Sequence, residues 1–207
     1  MYSGLSRNVV IGALFAVGLG LALSLGATTN AGAAPCFGQD PPGQSGTSGN
    51  DNLIGGSGNN NIAGEEGNDH INGQGGSDEL CGNTGNDTNS GGVEGAEGDD
   101  FVDGGQGNDS VTGKTGVDYI LGAADDDTVE GGDNPANFWD TLQGGDGDDD
   151  LHGDDGEDHM FGGPNNDLLY GGSGPDEIDG GAGTSDTCVG GPGTDVLTND
   201  CEVKIYS

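Results

Sequence analysis

The chain has 207 residues, enough for one ordinary domain or one repeat array. Its 37 Asp and Glu face only 3 Lys and Arg, and the resulting charge of -34 excludes tracking a nucleic acid backbone and disfavours anionic lipid surfaces. Glycine supplies 48 residues and hydrophobic residues only 29%, so order demands a thin repetitive core, cations that cancel the charge, or both.

Met1 to Arg7 is short and carries one positive charge, and Val9 to Ala27 then runs without a charged residue. Ala31-Gly32-Ala33 offers small residues at the -3 and -1 positions of a cleavage site. This order predicts a secretory signal peptide over 1–33, with Ala34 as the first mature residue. The competing expectation is a retained anchor, since the apolar run could just span a bilayer. Arg7 is the only charged residue before Ala34, so the mature chain would hold 37 acids against 2 lysines, a charge of -35. Residues 34–45, rich in Pro and Gly, are expected to form a loose N-terminal cap or linker.

From Gly46 a nine-residue period begins. Gly104 to Thr112 reads GGQGNDSVT and Gly171 to Asp179 reads GGSGPDEID, both of the form G-G-x-G-x-D-x-U-x with U apolar. Frames start at Gly46, Gly55, Gly64, Gly73 and Gly82, then at Gly95, Gly104, Gly113 and Gly122 after four extra residues, Gly91 to Glu94. A second insertion, Gly131 to Asn134, precedes a poor frame at Pro135. Frames follow at Gly144, Gly153, Gly162, Gly171, Gly180 (one residue longer) and Gly190.

The sixth positions of these sixteen frames are Asp51, Asn60, Asp69, Asp78, Asp87, Asp100, Asp109, Asp118, Asp127, Asp140, Asp149, Asp158, Asp167, Asp176, Asp186 and Asp195. The eighth is aliphatic or Met in fourteen frames and is Asn89 and Cys188 in the others. Two signals in phase over such a length do not arise from glycine richness alone.

The chemistry follows from the residue types. A glycine-rich turn aims several carbonyl oxygens into a small space, and the Asp adds a charged oxygen. Hard cations such as calcium take six to eight oxygen ligands, so this donor set suits calcium over zinc or copper. The x-U-x triplet is expected to form a short strand with U inward. Two nonapeptides then make one coil, with U residues from opposite sides meeting in a thin core.

At these residues the chain resembles the RTX, or hemolysin-type, calcium-binding repeat family over Gly46 to Thr198. The resemblance implies an all-β, right-handed parallel β-roll (a β-solenoid) of about sixteen nonapeptides, with calcium between stacked turns and folding on calcium. It makes the sixteen sixth-position residues the candidate metal ligands. Family members often carry an attached catalytic or pore-forming domain and leave the cell by a C-terminal signal. This chain shows neither pattern, and its N-terminal segment favours the general secretory route.

Asn199 to Ser207 alternates like a short closing strand and is expected to cap the array. Cys36, Cys81, Cys188 and Cys201 form an even set in a chain expected to be secreted, which allows three pairings. Cys188–Cys201 and Cys36–Cys81 are favoured because each would tie an end segment to its nearest coil. His70, His152 and His159 flank U positions and are expected to face outward. Phe138-Trp139 either fills the gap of a broken repeat or contacts a partner. Asp146, Asp148 and Asp150 begin an EF-hand-like run, but Leu151 stands where Gly is needed. No G-x-S-x-G elbow appears, and no catalytic constellation is expected.

The sequence therefore predicts a secreted, non-enzymatic calcium-binding protein, extracellular or cell-surface associated. Calcium is its expected partner, with no nucleic acid and no membrane after signal cleavage. The alternative is an adhesion or ligand-binding module that uses the calcium-rigidified array as a scaffold.

Overall fold

The computed structural model describes residues 43–92, 98–134, 138–198 and 200–206. The expected signal peptide, the boundary at Ala34 and Cys36 lie outside these residues.

Among the described residues eighteen strands alternate between two nine-stranded parallel sheets. The first sheet stacks β1 (Gln44–Ser45), β3 (Asn61–Glu66), β5 (Glu79–Thr84), β7 (Phe101–Gln106), β9 (Tyr119–Ala124), β11 (Thr141–Asp146), β13 (His159–Pro164), β15 (Glu177–Ala182) and β17 (Val196–Leu197). The second stacks β2 (Asn52–Ile54), β4 (His70–Asn72), β6 (Thr88–Ser90), β8 (Ser110–Thr112), β10 (Thr128–Asp133), β12 (Asp150–Asp155), β14 (Leu168–Tyr170), β16 (Thr187–Val189) and β18 (Val203–Ile205). This is a parallel β-solenoid of about eight turns, two nonapeptides per turn, in agreement with the β-roll that the repeat predicts.

The register explains why the period holds. Leu53 pairs with Ile71 and Leu142 with Met160, always one coil apart and always U against U. Alternation along each strand turns U inward and its neighbours outward. Ile71, Leu80, Val102, Ile120, Val129, Leu142, Leu151, Met160, Leu169 and Ile178 are fully buried. Asn89 occupies the same inward position and is also fully buried; its Nδ2 donates to the Asp103 carbonyl at 3.0 Å, which partly offsets the cost of a polar group there.

Three features differ from the three-residue strands and frames expected. First, several strands run six residues, because pairing continues into the next frame, as at Glu65↔Asn83 and Gly105↔Ala123. The second position of these frames takes a left-handed backbone even in Lys114 (φ 86°) and Ala123 (φ 93°), a conformation imposed by the stacked neighbours. Second, Gln44–Ser45 is a strand paired with β3 although it belongs to the expected loose segment. Third, the glycine that opens the turn is displaced at each insertion. Gly91 lies against the Asp100 carboxylate and Gly131 against that of Asp140, nine residues before each Asp. Pairings across the insertions shift from 18 to 22 residues, as at Thr88↔Ser110, without loss of register.

At the C-terminal end Cys188 and Cys201 form a disulfide, with Cα atoms 5.9 Å apart. Among the described residues no cysteine is free. The other favoured pair, Cys36–Cys81, involves Cys36, outside those residues.

Candidate metal centre

The sixth-position side chains form two ladders, one along each edge where strand follows turn. Each backbone N–H of a sixth residue donates to the carboxylate one coil later. Along one edge Asp69 donates to Asp87 Oδ1 (2.7 Å), Asp87 to Asp109 (2.7 Å), Asp109 to Asp127 (2.8 Å) and Asp127 to Asp149 (2.9 Å). Along the other, Asp78 donates to Asp100 (2.7 Å), Asp100 to Asp118 (2.8 Å), Asp118 to Asp140 (2.8 Å) and Asp140 to Asp158 (2.9 Å). The sequence-predicted set thus comes together in the fold as neighbours along two lines. The Asp is needed for shape as well as charge, since its Oδ1 satisfies a buried amide.

The second oxygen has a different fate. Oδ2 of Asp69, Asp78, Asp87, Asp109, Asp118, Asp127, Asp149, Asp158, Asp167, Asp176 and Asp186 is buried without a hydrogen-bond partner. Eleven such atoms in one fold are far above the few per hundred residues usual in native proteins, so they call for a shared cause. The first glycine of each turn shows why no side chain is tolerated there. A Cβ on Gly64 would collide with Asp69 Oδ2 and the Gly82 carbonyl, and one on Gly144 with Asp149 Oδ2 and the Gly162 carbonyl. A carboxylate oxygen and a carbonyl from the next coil are thus crowded into one small space at each turn.

Burial acts on the charge. Desolvation pushes Asp118, Asp127 and Asp158 up to about 8 and Asp109 and Asp167 up to about 7. Their backbone hydrogen bonds pull the other way, and flanking carboxylates such as Asp109 and Asp149 beside Asp127 raise the values further. A roll with all these groups ionised is self-repelling unless protons or cations intervene.

Asp100 Oδ2 is not among these orphan atoms, and four more rungs are set apart. Asp51 Oδ2 accepts from the Thr47 N–H and from its hydroxyl, at 2.9 Å in the latter case. Asn60 Nδ2 donates to the Gly56 and Gly58 carbonyls, so an amide sits where the other rungs leave an oxygen free. Asn134, inside the second insertion, donates from Nδ2 to Asp140 Oδ2 at 2.8 Å. Asp195 is the last rung of its ladder among the described residues, where β17 is the end strand of its sheet. The Asn134 contact was invisible in the repeat pattern, because the frame at Pro135 excluded that residue from the turn.

The residues fit calcium. The donors are oxygens, and among the described residues no three His, Cys, Asp or Glu side chains cluster, so a cation site in the roll draws on carbonyls too. The family model of the RTX calcium-binding nonapeptide repeat (four copies) matches residues 45–80, 54–88, 93–111, 103–134, 136–169 and 161–197, together well over half of the chain. The chain belongs to this family. RTX nonapeptide repeats bind calcium, and the orphan oxygens recur at the sixth position of eleven of these repeats. No curated protein matches the chain.

The remaining candidates lie on the surface. His70 and His159 are exposed and His152 half-buried, in line with their outward positions. His152 stacks on Tyr170 at 4.9 Å and approaches Asp150 Oδ1 at 3.0 Å, and His159 faces Glu177 at 3.5 Å. Phe138 and Trp139 are 43% and 49% exposed, so they do not fill the interior of the interrupted repeat.

Proposed function

We propose that this is a secreted protein whose RTX roll folds on calcium and serves as a rigid structural or surface-associated element, with the sixth-position aspartates as its carboxylate ligands. The observation that carries this reading is the row of buried Oδ2 atoms without partners. An unpaired charged oxygen in a dry site costs several kcal/mol, so its repetition argues for a counter-charge at the turns that carry one. The apolar Val9–Ala27 segment supports export, where millimolar calcium matches the about 10⁻⁴–10⁻³ M affinities of extracellular modules. On this reading Asn60 and Asp140 mark weak or silent rungs, because amide protons already occupy the oxygens a cation would take.

Far-UV circular dichroism with calcium, and separately with magnesium, tests the proposal. A cooperative gain of β signal with calcium alone is expected. An unchanged coil spectrum at millimolar calcium refutes it, and a full β spectrum in chelator removes calcium as the folding switch. The exposed Phe138-Trp139 pair favours a second reading, an adhesive module displayed on the roll. It requires that replacing both by Ser abolishes surface adhesion while calcium uptake persists.

A further inference from the structure

The stack does not stop where the nonapeptides do. The family match ends at residue 197, yet β18 adds one more strand to the second sheet, pairing Thr187 with Val203 and Val189 with Ile205. That register places Glu202 opposite Asp186, at the sixth position of a turn that lacks every motif glycine. The hydrogen bonding follows the ladder. The Asp186 N–H donates to Glu202 Oε2 at 2.8 Å, as the Asp167 N–H donates to Asp186 Oδ1 at 2.9 Å. The carbonyls follow it too. The Asp200 carbonyl lies 3.1 Å from the point where a Cβ on Gly180 would sit, the place the Gly180 carbonyl takes beside Gly162. Asp186 is fully buried, and its Oδ2 has no partner. The Cys188–Cys201 disulfide tethers the residue next to Glu202 to β16.

We propose that Asp186, the Asp200 carbonyl and Glu202 form a terminal calcium site outside the nonapeptide motif, and that the Cys188–Cys201 disulfide holds Glu202 in it. The proposal rests on the reading of the sixth-position aspartates as calcium ligands. Glu reaches further than Asp, which compensates for a cap whose shortened turn approaches the stack differently. The disulfide restrains a segment on which, among the described residues, no further strand is stacked. The last site therefore depends on the state of the Cys188–Cys201 disulfide.

Native mass spectrometry of the full chain at saturating calcium counts the bound ions. Glu202→Gln keeps an oxygen that can accept from the Asp186 N–H but removes the charge, so a purely structural role survives it. The expected result is one calcium fewer than wild type, the count restored with weaker affinity in Glu202→Asp. Mild reduction should remove one calcium from wild type and none from Glu202→Gln. An unchanged count in Glu202→Gln, or in reduced wild type, overturns the assignment while leaving the array's calcium binding standing. Absence of calcium from wild type and variant alike overturns both readings.

Discussion

Replacing Asp127 by Asn separates the two jobs of a rung carboxylate. Asp127 is 3% exposed and sits mid-ladder. Its Oδ1 accepts from the Asp109 N–H, its own N–H donates to Asp149, and its Oδ2 has no partner. Asn keeps the volume and the accepting oxygen but puts an NH₂ where Oδ2 stood. Asn60 shows that such an amide can be satisfied by the carbonyls of its own turn. A site filled at about 100-fold above its dissociation constant stabilises by about 2.7 kcal/mol, a condition met near 10 mM calcium for a Kd of about 10⁻⁴ M. The variant should therefore lose about 3 kcal/mol at saturating calcium, read as a lower urea midpoint by circular dichroism. In chelator the sign reverses. Burial and the Asp109 and Asp149 charges push Asp127 up to about 8, so a neutral amide relieves a penalty, and residual β signal should equal or exceed wild type. Equal destabilisation with and without calcium would refute the reasoning, because Oδ2 would then serve the fold and not a cation.

Three further outcomes are expected. The calcium-free roll should gain β structure on acidification: the raised carboxylates contribute stability that is full below their ordinary pKa near 3.8 and is lost as pH rises through 6 to 8, while calcium affinity falls over the same acid range because protons compete; a pH titration of circular dichroism in chelator checks the first sign, and calcium titrations at each pH the second. Leu151→Ala, at a fully buried position, should cost about 2–5 kcal/mol at saturating calcium, measured by urea unfolding with unchanged calcium count. Asn134→Ala removes the amide from Asp140 Oδ2 and a partner of the Gly116 N–H, so stability in chelator should fall by about 1–3 kcal/mol and calcium should recover part of it, seen as a steeper calcium dependence of the thermal midpoint.

The core and the ladder were legible at nine-residue resolution. Every eighth position from Leu53 to Leu197 is buried or nearly so, and every sixth-position carboxylate from Asp69 to Asp176 falls in one of two lines, because both facts follow from a strand of fixed alternation and a turn of fixed length. A strand at Val203–Ile205 was legible for the same reason. The turns at the insertions were not, since a sequence frame of fixed length counts back from the Asp to Gly95 and Pro135, whereas Gly91 and Gly131 are the residues that lie against the Asp100 and Asp140 carboxylates. Glu202 was missed as a rung because the motif search looks for glycines, and only pairing with β16 brings it opposite Asp186.

The sequence by itself determined the period, the two-layer thinness of the core and an all-oxygen chemistry that calls for calcium. Each is a local property: an apolar side chain every nine residues, glycines that admit tight turns, and a short acid beside them. Only the tertiary structure decided which oxygen of each carboxylate is spent on a backbone amide and which stays free. That choice depends on groups a full coil away, such as the Asp109 N–H below Asp127, or outside the nonapeptide frame, such as Asn134 against Asp140. The physical reason is that a ligand set shared between stacked coils does not exist within any single repeat.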